Sequence, residues 1–261
     1  MMSIEGRDRR VLITGGSAGL GYAAALILVE QGYRVAIAAR DQTRLEHAAE
    51  RLRASATTEV LSIVCDVMSV SAIENLYATV EKRWGGVDIL MNNAGGSSRG
   101  NIDELSDSDW QHDFDLKLFS AIRLTRLVLP GMKDRRWGRI INVLNTLAKT
   151  PGAGTAPTSV TRAAGMAYSK VLANEVAPFN ILVNSLCIGR IDSEQWHRFH
   201  KKDDSGIGYE EYLAKQGQQI PLGRLGKPEE FAGLVALLAS DAGGYLTGTA
   251  INIDGGLSPA Y

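Results

Sequence analysis

The sequence is nearly free of cysteine. Its two cysteines, Cys65 and Cys187, stand far apart and match no metal-binding or redox spacing. A disulfide scaffold is therefore not expected, and a reducing cytoplasm is the simplest setting. An excess of either charge is also missing. The 28 Lys and Arg are balanced by 29 Asp and Glu, for a net charge of −1, with no basic cluster interleaved with aromatics. Nucleic acid is accordingly not expected as a partner. Long apolar runs are absent too: none approaches the ~18 residues that a membrane-crossing helix needs. The opening MMSIEGRDRR contains no apolar signal region, because the first apolar run behind it is a short strand candidate. Neither a membrane partner nor a signal peptide is expected.

What is present is ordinary for a chain that buries a core, with 45% hydrophobic and 22% charged residues. Short β-branched runs alternate with longer stretches of helical periodicity, the signature of a parallel sheet covered by helices. Strands are predicted at Arg10–Thr14, Arg34–Ala38, Glu59–Val64, Val87–Met91, Gly138–Val143, Ile181–Leu186 and Thr249–Ile253. Helices are predicted at about Gly19–Gln31, Thr43–Ala54, Val70–Trp84, Ser106–Lys133, Thr158–Val176 and Pro228–Ser240. Right-handed crossovers make this a doubly wound α/β three-layer sandwich with a seven-stranded parallel sheet. No linker or repeat divides residues 1–261, so one dinucleotide-binding domain is expected. The Gly-punctuated stretch 190–226 interrupts the alternation where a substrate lid would sit.

Residues 11–21 read VLITGGSAGLG, a strand followed by glycines and then a helix. Gly15 suits a tight turn, Gly19 suits backbone approach to a pyrophosphate, and Gly21 suits close packing of helix on sheet. Ser17, Ala18 and Leu20 complete the cradle, and the helix N-terminus offers unpaired N–H groups to the phosphates. At the tip of the second strand an acidic residue would favour NAD. The sequence has Ala39 there, followed by Arg40, whose guanidinium suits a 2′-phosphate. The expected cofactor is NADP(H).

Further pieces extend the pattern: CDV at 65–67, NNAG at 92–95, LPGM at 129–132, GRIINV at 138–143, ILVN at 181–184 and DGG at 254–256. Over essentially its whole length the chain resembles the short-chain dehydrogenase/reductase family. The resemblance implies that Asp66 and Val67 hold the adenine, that Asn92, Ala94 and Gly95 line the central channel, and that the stretch from Ile188 through Gly189 and Ile191 to Ser193 lies against the nicotinamide. Asp66 is equally placed to cap the helix beginning at Val70. The predicted helices Ser106–Lys133 and Thr158–Val176, with Ile122, Leu127 and Met166, resemble those that build the family's dimers and tetramers, implying a homodimer or homotetramer.

The family's proton chemistry uses Tyr-x-x-x-Lys, a serine at the preceding strand end and an asparagine on the helix before that. None of the eight tyrosines here has a lysine four residues later. Alignment through GRIINV and ILVN puts Thr158 at the tyrosine position, Arg162 at the lysine, Asn145 at the serine and Lys117 at the asparagine. Tyr168 and Lys170 do not compensate, since at ~1.5 Å rise per residue they lie ~15–18 Å further along the helix. The four replacements are rich in donors and positive charge and include no obvious base. They suit an oxyanion or an anionic substrate. Glu194, His197 and His200 have helical spacing, but a polar lid face is expected from them rather than a metal site. Asp192, Glu194 or His197 could supply an acid from the lid.

The leading expectation is an NADP(H)-dependent oxidoreductase acting on a small carbonyl, alcohol or conjugated substrate through a non-standard site. The alternatives are a redox-neutral cyclase, dehydratase, isomerase or decarboxylase, and a non-catalytic nucleotide-binding partner protein.

Overall fold

A computed structural model describes residue 6 and residues 8–261. Nine strands run through them: β1 Arg10–Thr14, β2 Arg34–Ala39, β3 Val60–Val64, β4 Ile89–Asn92, β5 Arg99–Gly100, β6 Gly138–Asn145, β7 Ala156–Pro157, β8 Ile181–Ile188 and β9 Ala250–Ile253. The helices are α1 Gly19–Glu30, α2 Gln42–Ser55, α3 Val70–Trp84, α4 Asp107–Phe114, α5 Ser120–Arg135, α6 Thr158–Val176, α7 Glu194–His200, α8 Tyr209–Gly217 and α9 Pro228–Ala239.

Seven strands form one sheet in the order β3-β2-β1-β4-β6-β8-β9, with every pairing parallel. Alternation along β1 explains the three layers. Val11 and Ile13 join the core under α1, α2 and α9, whereas Leu12 joins the core under α3, α5 and α6. The chain winds outward from β1 through β2 to β3, then crosses to β4 on the other side. That reversal opens a crevice beyond the carboxyl ends of β1 and β4, where ligands bind in sheets of this kind.

Two regions differ from the sequence expectation. The single helix expected over Ser106–Lys133 is three pieces, with a π-helical segment at Asp115–Phe119 between α4 and α5. A π segment inserts one residue per turn and leaves the apolar periodicity of its flanks intact, so spacing alone does not reveal it. The stretch 190–226 contains two helices, α7 and α8. Its ends are stitched together where Gly226 N donates to Arg190 O and Asp192 N donates to Gly226 O, both at 2.9 Å. Both cysteines are free and buried. Among the described residues no helix is long and apolar enough to cross a membrane.

Candidate active site

The turn after β1 depends on two glycines. Gly15 has φ +68°, and a Cβ there would lie 3.0 Å from Asn93 Nδ2 and 3.1 Å from Ala94 Cα. At Gly21 a Cβ would come within 2.2 Å of Gly15 O, so only hydrogen lets α1 seat against the turn. Asn93 locks the arrangement by donating through Nδ2 to Thr14 O at 3.0 Å and Gly15 O at 3.1 Å. Thr14 Oγ1 accepts the amides of Asn93 and Ala94, each at 3.0 Å. The N-cap of α1, Ala18, provides no side-chain cap, so the amides of the first turn open toward the crevice.

The crevice holds about 870 Å³. One end is lined by Gly15, Ser17, Ala18, Gly19 and Leu20, with Arg40 just beyond the tip of β2 and Arg44 in the first turn of α2. Val67, Ala94 and Gly95 line its middle, and Asn145, Arg162, Ile188, Gly189 and Ile191 line the far end. Two expected cofactor residues do not reach it. Asn92 turns into the sheet, where Nδ2 donates to Asn142 Oδ1 at 2.8 Å, and its neighbour Asn93 lines the crevice instead. In a strand successive side chains point to opposite faces, so a one-residue choice within NNAG decides which asparagine faces the crevice. Asp66 is exposed, and its Oδ1 accepts Met68 N at 3.0 Å while Cys65 and Val67 line the crevice. Nor does Asp66 cap α3, because Ser69 does so by accepting from Ala72 N at 3.2 Å.

The four expected catalytic residues gather at one end, in two layers. Arg162 and Asn145 face the crevice. Arg162 Nη1 donates to Val143 O at 2.6 Å, which aims the guanidinium; Nη2 lies 3.3 Å from where a Cβ on Gly95 would sit. Burial pushes Arg162 down to about 10, with the Asp113 charge opposing, so the group stays cationic at neutral pH. Two polar atoms here are buried without a hydrogen-bond partner, Arg162 Nε and Asn145 Oδ1. Behind this layer Thr158 is fully buried. Lys117 Nζ donates to Thr158 Oγ1 at 2.6 Å, and the Ser98 amide donates to the same oxygen at 3.2 Å.

Lys117 also donates to Asp113, one turn earlier, in an ion pair whose side chains are 3% and 1% exposed. Sequence reasoning passes over this carboxylate, which is paired with Lys117 behind the crevice and does not line it. The available signal was the Asp113–Lys117 i,i+4 spacing, which an exposed helix shows just as often. Burial pushes Lys117 down to about 8, helped by the Arg162 charge and opposed by Asp113.

The stretch 190–226 brings no free acid to the far end. Asp192 accepts from Tyr209 Oη at 2.5 Å, His197 stacks on Tyr209 with ring centroids 3.8 Å apart, and His200 Nε2 meets Ile207 O at 2.8 Å. Glu194 pairs with Arg44 across the mouth of the crevice. Among the described residues no three His, Cys, Asp or Glu side chains are grouped so as to hold a metal. Lys170 lies elsewhere and donates to Gly248 O at 3.2 Å.

Residues 15–258 match the family described as Enoyl-(Acyl carrier protein) reductase. The chain belongs to the short-chain dehydrogenase/reductase family. Among curated members, the 3-oxoacyl-(acyl-carrier-protein) reductase FabG of Aquifex aeolicus is 31% identical over 256 residues, covering 98% of this chain and 100% of that protein. Among solved structures, L-sorbose reductase from Gluconobacter frateurii, complexed with NADPH and L-sorbose, superposes with a TM-score of 0.94 at 34% identity, covering 100% of this chain and 99% of that one. An NADPH-bound short-chain oxidoreductase from Pseudomonas aeruginosa PAO1, described as containing an atypical catalytic center, gives a TM-score of 0.91 at 35% identity, covering 98% and 99%. This short-chain dehydrogenase/reductase thus shares its fold with both relatives.

Proposed function

We propose that the chain is an NADPH-dependent reductase of a polar or anionic carbonyl compound, working through a non-standard active site. Residues 1–261 act as one dinucleotide-binding domain, with 190–226 as the substrate lid. The observation that carries the cofactor is the pairing of the glycine turn and uncapped α1 with Arg40 at a β2 tip that lacks an acid. A 2′-phosphate at this tip would meet Arg40 and Arg44, and relatives described as NADPH complexes support the same choice. Ser17, Gly19 and Leu20 would hold the pyrophosphate, while Ile188, Gly189 and Ile191 would flank the nicotinamide. NADPH held there would supply the hydride for the carbonyl carbon.

This chain's residues do the rest. Arg162 Nη2 and the Asn145 amide receive the carbonyl oxygen and stabilise the charge that develops on it. The positive charge there also suits a carboxylate or phosphate on the substrate. Lys117 supplies the proton through Thr158, which precedes Arg162 by one turn on the same face of α6 and lies buried behind it. The Ser98 amide covers that hydroxyl, so the 95–99 segment must shift for transfer. Self-association as a dimer or tetramer through α5 and α6 belongs to the same reading, supported by the exposed apolar side chains of Val160 and Val171.

The test is loss of nicotinamide absorbance when NADPH is mixed with a 3-oxoacyl thioester or with L-sorbose, chosen because relatives carry those substrates in their names. Turnover that Arg162→Ala abolishes is expected. Full turnover in Arg162→Ala would overturn the assignment of the site. A redox-neutral reading draws on one observation, that the hydroxyl at Thr158 is buried behind the donor layer. It expects product without any absorbance change.

A further inference from the structure

Asp113 has no part in the reading above, yet it is one of the most deeply buried charged side chains of the chain. It lies on the last turn of α4, immediately before the π-helical segment that carries Lys117. One carboxylate oxygen takes the Lys117 ammonium, and the other, Oδ2, is buried without a hydrogen-bond partner. Such a pair is a poor way to build a stable core, because desolvating both charges offsets most of their attraction and two apolar side chains would pack as well. A charged pair held here needs a reason other than stability. The third member of the cluster supplies one, since Lys117 reaches past Asp113 to Thr158 Oγ1 at 2.6 Å. The charged groups around Lys117 are few. Asp113 faces it from α4 and Arg162 from α6; the 95–98 segment contributes the Gly95 backbone and the Ser98 amide; Asp115, on the π-helical segment with Lys117, is turned away to Arg123.

We propose that Asp113 is the positioning residue of a buried proton store, holding the Lys117 ammonium against Thr158 Oγ1 so that Lys117 recharges the hydroxyl that protonates the substrate. The proposal rests on the reductase reading and deepens it. As the carbonyl carbon accepts the hydride from NADPH, the carbon–oxygen π pair moves onto oxygen. That oxygen takes the Thr158 hydroxyl proton, and Thr158 Oγ1 takes one from Lys117. Lys117 is left as a neutral amine beside ionised Asp113, and solvent returns the proton between turnovers. Asp113 touches neither substrate nor cofactor and acts through Lys117. Without it the two remaining influences on Lys117, burial and the Arg162 charge, both favour the neutral amine.

The experiment compares the full-length wild type with Asp113→Asn and with the double variant Asp113→Leu, Lys117→Met, which removes both charges together and so avoids stranding one. Melting temperature is followed from neutral pH to about 10, where a free lysine titrates, and kcat/KM for NADPH-dependent reduction of a 3-oxoacyl thioester is followed over the same range. In Asp113→Asn the stability gap to wild type is expected to be widest at neutral pH and to close as Lys117 loses its proton. The alkaline limb of kcat/KM is expected to move down by about one pH unit or more. The double variant should melt cooperatively, bind NADPH as wild type does by fluorescence, and lack that limb. A stability gap independent of pH would overturn the proposal. So would an alkaline limb unmoved in Asp113→Asn, or one retained in the double variant if the single variant fails to fold. If wild type oxidises no NADPH at all, the reductase reading fails, while the pH dependence of the melting gap still decides whether Asp113 holds Lys117.

Discussion

The two ends of the crevice are built on different principles. At the nucleotide end the phosphate cradle is built from backbone, with an uncapped helix start, a turn at Gly15 and amides pinned by Thr14 and Asn93. Side chains enter only at its rim, through Arg40 and Arg44. At the far end the fold delivers side chains, with Arg162 and Asn145 in front and the Asp113–Lys117–Thr158 cluster behind. Backbone sites tolerate no added volume but ignore most side-chain chemistry. Side-chain sites accept changes of shape but fail when charge is altered. The difference explains why one end can be read from glycine spacing while the other must be read from pairings across the chain.

The comparison can be broken most forcefully at Gly21. A Cβ there would sit 2.2 Å from Gly15 O, so Gly21→Val should remove NADPH binding detectable by fluorescence, or prevent soluble folding. Soluble protein with unaltered affinity would contradict the backbone account. Next comes Arg162→Ala, which removes a donor aimed at the developing oxyanion. A fall of ~10²–10³ in kcat is expected with NADPH affinity little changed, since losing one such donor costs about that much. Measuring kcat and cofactor Kd separately checks the division between the two ends.

A smaller effect is expected at the β2 tip. Arg40→Ala should weaken NADPH by roughly 10–100-fold and leave NADH nearly unchanged, the size of a lost hydrogen bond to a charged group. Titrating both cofactors against the variant measures it. The proton store adds a pH signature. Lys117 is pushed from 10.5 down to about 8, so between those values the unfolded chain holds a proton that the folded one has released. Its contribution to stability therefore rises with pH across that window and is flat below it. Lys117→Met should remove this rise from the melting profile. The smallest effect belongs to Glu194. Its partner Arg44 is 42% exposed, so Glu194→Gln should change stability by under about 1 kcal/mol, while NADPH affinity should not fall, because Arg44 is freed for the phosphate.

Much of the fold was legible because two periods, 2 and 3.6, govern buried strands and covering helices. The strand expected at Gly138–Val143 is β6, and the nucleotide turn fell where VLITGGSAGLG put it. Three features were not legible, for physical reasons. The π segment at Asp115–Phe119 changes the local turn without changing residue type. The choice of Asn93 over Asn92 depends on which side of the β4 end faces the crevice. Asp113 looks like any solvated helix acid until packing buries it, since burial is a property of the neighbours and not of the residue. Thr158, Arg162, Asn145 and Lys117 were found together, but their separation into a front and a rear layer needed three dimensions.

The central claim is that this member of the family draws its proton from Lys117 in place of a tyrosine. The most direct measurement is the pH profile of kcat/KM for NADPH-dependent reduction in wild type and in Lys117→Met. The account predicts a wild-type rate that falls as pH rises through about 8, and a Lys117→Met variant that binds NADPH normally yet is slow and flat across the same range. A Lys117→Met variant with the wild-type rate and the wild-type alkaline limb would contradict it.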